Sequence, residues 1–288
     1  MKSHTLRLGL GLVLMGFGWP LAWLRPAAVP LLWENSFFIL WLGYSLAVDG
    51  FNGLSSGSSL YTRSSKGYVG LFLLSIPCWW IFEFFNLFMQ NWFYIQNRFV
   101  GDVEYAIRAS IAFSTVTPAV LGTAEAWSRL PLFARLNRND PHIWPARSQA
   151  DILLLGVLML LAVIAFPRYA FYLVWLGLYL LIDVLNLIRG NDAILRNTQL
   201  GRWRPFVTLP LAGLTCGLMW EFWNFYSLPK WVYRVPWVDF AHIFEMPALG
   251  YLGYLPFGLE VAALYIFLSQ LTGWRKTGLI GQADFLRF

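Results

Sequence analysis

Trp41-Leu42-Gly43-Tyr44-Ser45-Leu46-Ala47-Val48-Asp49-Gly50-Phe51-Asn52 returns, without a gap, as Trp175-Leu176-Gly177-Leu178-Tyr179-Leu180-Leu181-Ile182-Asp183-Val184-Leu185-Asn186. The shared letters are Trp-Leu-Gly-x2-Leu-x2-Asp-x2-Asn. Downstream, Cys78-x4-Glu83-x2-Asn86 returns as Cys216-x4-Glu221-x2-Asn224, and Trp92-x-Tyr94 returns as Trp231-x-Tyr233. Carboxylates, amides and both cysteines of the chain are repeated, in or beside apolar runs where ionisable groups are expensive. Such a duplicated set predicts a site built between two related halves.

Composition supplies the setting. Hydrophobic residues make up 58% of the 288 and charged ones 12%. The mean hydropathy is +0.55, which excludes an ordinary soluble domain. Eight apolar stretches are long enough to cross a bilayer as helices, at 8–24, 31–50, 68–94, 104–126, 150–166, 169–188, 205–227 and 250–271. With these spans, fifteen of the 21 Lys and Arg residues fall on one side, among them Lys2, Arg7, Arg63, Arg129, Arg196, Arg275 and Arg287. Six fall on the other: Arg25, Arg98, Arg108, Arg168, Lys230 and Arg234. The bias places both termini in the cytoplasm of a bacterial-type inner or plasma membrane. It also accounts for the net charge of +6 without a nucleic-acid partner. The N-terminal run is expected to stay as a helix rather than act as a cleaved signal, because 150–166 holds the equivalent place before the second Trp-Leu-Gly.

The predicted fold is all-α, a polytopic membrane protein of about eight transmembrane helices in two fused four-helix repeats. Residues 1–128 form the first repeat, 129–148 a cytoplasmic linker and 149–288 the second. An even number of spans per repeat gives both halves the same orientation, related by an axis along the membrane normal. Tyr105–Glu125 and Phe240–Glu260 have equal length and are expected to correspond. The segment 240–271 is too long for one straight span, so an interfacial or re-entrant piece is expected around Phe240 to Met246.

Glu83 and Glu221 are the candidate acid/base pair, since a desolvated carboxyl can deliver or take a proton. The competing account is a polar network that holds helices together. Asn86 and Asn224, three residues on, share a helix face with them and are expected to orient them. The pairs Asp49 with Asn52 and Asp183 with Asn186 lie near cytoplasmic helix ends, beside loops carrying Arg63 and Arg196. Helix capping and an interfacial salt bridge explain them, and a cation or phosphate site is the alternative. Glu245 and Glu260 flank a Pro- and Gly-broken stretch, Phe244 to Glu260, of the kind that lines cavities in membranes. Asn86, Asn224, Glu245, Glu260, Trp231 and Tyr233 are therefore the expected substrate contacts. Trp92, Tyr94, Trp231, Tyr233 and Trp237 also suit an interfacial aromatic belt. Cys78 and Cys216 read as reduced packing residues. His4, His142 and His242 give no metal-ligand spacing, so neither a metal nor a cofactor is expected.

The second half resembles the integral-membrane lycopene cyclases, through Trp231-x-Tyr233 and Leu255-Pro256-Phe257-Gly258-Leu259-Glu260. That family is also built from duplicated helical domains. In it the proline is followed by two adjacent carboxylates, whereas Pro256 leads only to Glu260 and Pro118 only to Glu125. The resemblance implies acid-catalysed cyclisation of a polyene with glutamate as proton donor. The Glu-x2-Asn and Phe-Glu-Met-Pro pattern is also similar to that of bacterial membrane proteins of unassigned activity.

The leading expectation is an intramembrane enzyme acting on a hydrophobic isoprenoid or lipid substrate by carboxylate acid/base chemistry, with membrane lipid and a hydrophobic small molecule as its partners. A transporter or channel for a small solute or proton, using the same carboxylates, is the first alternative. A structural subunit of a membrane complex is the second. Oligomeric state is left open.

Overall fold

The computed structural model describes residues 2–136 and 146–273. His142, residues 137–145 of the expected linker and the basic residues from Arg275 onward lie outside the described residues. The long elements are α1 (Lys2–Leu24), α2 (Ser36–Ser56), α3 (Ser65–Met89), α4 (Asp102–Phe113), α5 (Val116–Ser128), α6 (Ala146–Ala165), α7 (Leu173–Ile188), α8 (Arg204–Asn224) and α9 (Tyr254–Leu271). Two short strands, β1 (Trp92–Ile95) and β2 (Lys230–Tyr233), pair antiparallel. Among the described residues, six helices are long and apolar enough to cross a membrane; α7, with 16 residues, is shorter.

Glycines set the closest helix crossings. A Cβ on Gly11 would collide with the backbone of Gly43 and Ala47, and one on Gly156 with that of Gly177 and Leu181. α1 therefore lies against α2, and α6 against α7, through the first glycine of each Trp-Leu-Gly motif, as small residues allow in apolar surroundings. α5 packs on α2 and α3, and α9 packs on α7 and α8. Further contacts join α8 to α5 and, reciprocally, α3 to α9.

The stretch expected as one span over 104–126 is two helices, broken at Ser114–Thr115. Pro118 explains the break: its ring excludes the carbonyl four residues earlier, at Ser114, from a regular helix. Ser75 of α3 repairs the exposed backbone. Its hydroxyl donates to the Phe113 carbonyl (2.5 Å) and accepts from the Thr117 amide (3.0 Å). That is how a broken helix survives in hydrocarbon.

The Trp-x-Tyr motifs are also not helical. α3 ends at Gln90, whose φ of 51° is left-handed, and the chain turns directly into β1. Before α9, the chain forms a small ladder, His242–Ile243 against Met246–Pro247, and then a 3-10 turn, Ala248–Gly253. These occupy the place expected for a re-entrant piece.

Candidate functional site

The β1–β2 register pairs Trp92 with Tyr233, Phe93 with Val232 and Tyr94 with Trp231. Asn86 and Asn224 fix these strands. Asn86 Nδ2 donates to the Trp92 carbonyl (2.9 Å) while its Oδ1 accepts from the Asn91 amide (2.9 Å). Asn224 Nδ2 donates to the Trp231 carbonyl (2.7 Å) and its Oδ1 accepts from the Trp231 amide (2.9 Å). The amides thus clamp backbone; they neither orient the carboxylates directly nor reach a cavity wall.

The strands carry their side chains to the repeated glutamates. Glu83 Oε1 accepts from Tyr94 Oη (2.6 Å), Trp92 Nε1 (3.1 Å) and Trp79 Nε1 (3.1 Å). Glu221 Oε1 accepts from Tyr233 Oη (2.7 Å), Tyr254 Oη (2.7 Å) and Trp231 Nε1 (3.3 Å). The third donor differs for a steric reason. Four residues before Glu83 stands Trp79, but four before Glu221 stands Gly217, and the Tyr254 ring fills the space a Cβ there would need. Gly217, matched against Trp79, was the sequence signal for Tyr254. Glu221 is fully buried and its Oε2 has no hydrogen-bond partner among the described residues. Burial and the neighbouring carboxylate push the Tyr94 and Tyr233 phenols well above their ordinary value, so both stay protonated as donors.

All six donors line one cavity of about 180 Å³, and neither glutamate does. Its deeper wall is aromatic: Trp175, Trp220 and Phe257 gather there, with Phe257 5.7 Å from Trp220 and 5.8 Å from Trp79 between ring centroids. The charged and amide side chains of the lining are Glu34, Asn35, Gln96, Arg108 and Lys230, which form its rim. Arg108 donates to Glu34 (2.7 Å) and also pairs with Glu104 (2.8 Å). Lys230 pairs with Glu245. Glu245, expected on the cavity wall, therefore acts on it only through Lys230. Glu260 lies off the wall as well, fully buried, with no hydrogen-bond partner for either carboxyl oxygen among the described residues. It follows the cavity residue Phe257 by three positions and so sits one turn deeper on the same helix face.

The Asp-x2-Asn pairs are elsewhere. Glu34 precedes α2, whereas Asp49 and Asn52 lie near its other end. Asp49 accepts from Arg7 Nε (2.8 Å), Ser59 Oγ (2.9 Å) and the Tyr61 amide (3.0 Å). Asp183 accepts from the Ile194 and Leu195 amides (2.9 and 2.7 Å). Each aspartate thus holds the start of a short helix, Leu60–Arg63 or Ile194–Gln199, eleven residues downstream. Arg63, expected beside Asp49, instead forms a two-pronged pair with Glu125 (2.8 Å on both prongs). Arg196 reaches the Leu187 carbonyl. Asn52 donates to the Gly122 carbonyl and Asn186 to that of Ala263, both at 2.9 Å. Counting from those bonds, the level of Glu260 matches Ala119, not Glu125, so the expected correspondence of the two glutamates fails by six residues. Cys78 and Cys216 are buried free thiols.

Among the described residues, no group of three His, Cys, Asp or Glu gathers to hold a metal. Comparison with protein families, with curated proteins and with solved structures finds no match to this chain.

Proposed function

We propose that the chain is an intramembrane enzyme acting on a hydrophobic isoprenoid or lipid substrate, with Glu83 and Glu221 exchanging protons with it through Tyr94 and Tyr233. The observation that carries this reading is the pair of short phenol–carboxylate bonds, 2.6 and 2.7 Å, on the walls of one aromatic cavity. At one of the two pairs protonation of the carboxyl reverses the bond, so that the carboxyl donates to the phenol oxygen. It passes its proton there as the phenol hydrogen, freed from the carboxyl, moves to a substrate double bond. At the other, the phenol oxygen takes a proton from a neighbouring carbon as its own hydrogen passes to a carboxylate. The proton count balances, no electrons are exchanged, and the product is an isomer or a ring. Electron-rich ring faces around the cavity favour the positive charge that develops between the two transfers.

This reading takes the chain as two fused four-helix halves, 1–128 and 149–288, with eight spans and both termini cytoplasmic. Support comes from the matched roles of Asn86 and Asn224, Asp49 and Asp183, Asn52 and Asn186, and Gly11 and Gly156. The separation of an Arg-rich end, with Arg7, Arg63 and Arg129, from the cavity rim agrees with the charge bias.

A transporter reading draws on one further observation, Glu260 beneath Phe257, which would give a solute a second station below the cavity. The test is mass spectrometry of small molecules retained by the detergent-purified protein, wild type beside Glu83→Gln/Glu221→Gln. A stoichiometric isoprenoid or specific lipid whose identity changes in the variant supports the enzyme. Bulk phospholipid alone, unchanged by the substitutions, rejects it and turns attention to reconstituted flux.

A further inference from the structure

Six aromatic side chains of the cavity wall turn their polar hydrogens away from the cavity. The Tyr94, Tyr233 and Tyr254 hydroxyls and the Trp79 and Trp92 indole N–H groups are spent on Glu83 or Glu221, and the Trp231 indole N–H is shared between Tyr233 Oη (2.8 Å) and Glu221 (3.3 Å). What these residues leave for an occupant is ring faces and phenol lone pairs, with the Glu83 and Glu221 carboxylates one hydrogen bond behind them. The cations of the lining do not cancel this field, because Arg108 is held by Glu34 and Glu104 and Lys230 by Glu245. Trp220 contributes a buried indole N–H without a partner among the described residues, and Tyr105, Trp175 and Gln96 bring further donors to the lining. Ring faces attract a desolvated cation, and aromatic cages are the usual receptor for quaternary ammonium.

We propose that this cavity is a receptor for a positively charged alkylammonium group, seated against Trp92, Tyr94, Trp231 and Tyr233, which share one face of the β1–β2 ladder. The proposal shares with the enzyme reading only the premise that this cavity takes a ligand. It requires no turnover, and it names the charge of the occupant where that reading names its apolarity. Two sources can present the group: a trimethylammonium lipid headgroup entering from the bilayer, or a small free cation entering past the Glu34–Arg108 rim.

The decisive experiment compares choline with 3,3-dimethylbutanol, its uncharged carbon isostere, by isothermal titration calorimetry on the full chain in neutral detergent. Choline is expected to bind about tenfold tighter or better than the isostere. Replacing Glu221 by Gln should shrink that preference while leaving binding of the neutral isostere unchanged. A parallel titration in nanodiscs of phosphatidylcholine or phosphatidylglycerol separates the sources. Choline binding lost only in phosphatidylcholine identifies the lipid headgroup; binding equal in both identifies a free cation. Equal affinity for choline and 3,3-dimethylbutanol, or no heat from either, overturns the proposal. The wild-type comparison needs no variant, so a folding defect in Glu221→Gln leaves it decisive. A retained neutral isoprenoid with no ammonium preference would defeat this proposal while sparing the enzyme reading.

Discussion

Phe93 faces Val232 across the β1–β2 ladder, and each is the middle residue of its own Trp-x-Tyr motif. The two copies therefore meet head to tail, each tryptophan opposite the other copy's tyrosine, and both deliver their polar atoms to the carboxylate of their own helix. Replacing Tyr94 or Tyr233 by Phe removes one donor to a buried oxygen and keeps the ring. Each variant is expected to lose about 1–3 kcal/mol of stability. On the proposed mechanism each also loses roughly a hundredfold or more in turnover. Thermal unfolding beside product formation from the retained substrate measures both; full turnover in Tyr94→Phe/Tyr233→Phe would remove the phenols from the chemistry.

Much of this arrangement was legible in the sequence, though not its local shape. The repeated Trp-x-Tyr letters pointed to residues that line one cavity, and the repeated Glu-x2-Asn letters to the groups that hold those residues from behind. The strands were hidden because Trp92–Ile95 is as apolar as the helix before it, and a four-residue aromatic run has no helical or strand period of its own. The break at Ser114–Thr115 had a signal in Pro118, four residues after Ser114. Arg7 as partner of Asp49 had none, because the two are 42 residues apart and only the α1–α2 crossing joins them.

That crossing gives a contrast within one helix. A Cβ on Gly11 would overlap the backbone of α2, whereas one on Gly16 meets nothing within 4 Å. Gly11→Ala must push α1 from α2 and is expected to cost about 1–3 kcal/mol. Gly16→Ala should be neutral or stabilising by up to about 1 kcal/mol, because alanine lowers the entropy lost on forming the helix. Melting temperatures in detergent decide it; equal behaviour of the two variants would refute the crossing.

The rim predicts a pH dependence. Burial alone would raise the Glu34 carboxyl, but hydrogen bonds from Asn97 (2.7 Å) and Arg108 (2.7 Å), with Arg98 adding to them, hold it below its ordinary 4.5. A carboxyl lowered in the folded state stabilises fully above its unfolded value, and that contribution is lost as pH falls through the folded value. Stability is therefore expected to be insensitive to Glu34 ionisation between pH 6 and 8 and to decline below about pH 4.5. Glu34→Gln should lower the melting temperature at neutral pH and flatten the acid decline. An acid limb as steep in the variant as in wild type would show that other carboxylates govern it.

Glu260 is the costliest side chain left without a visible return. It is fully buried in α9, and neither carboxyl oxygen has a hydrogen-bond partner among the described residues. A buried acid in that condition opposes folding, and replacing it with an apolar residue of similar volume commonly stabilises by about 1–4 kcal/mol. Glu260→Leu should therefore raise the melting temperature, and Glu260→Gln should raise it less, since the amide remains polar and unpaired. If activity survives in Glu260→Leu, the residue stands outside the proton path and the Tyr–Glu pairs suffice. If instead the Leu variant melts lower than wild type, the carboxylate is engaged by a cation or proton donor in the folded protein. Glu260 would then belong to a route that continues past Phe257, and the transporter reading would gain what the enzyme reading loses.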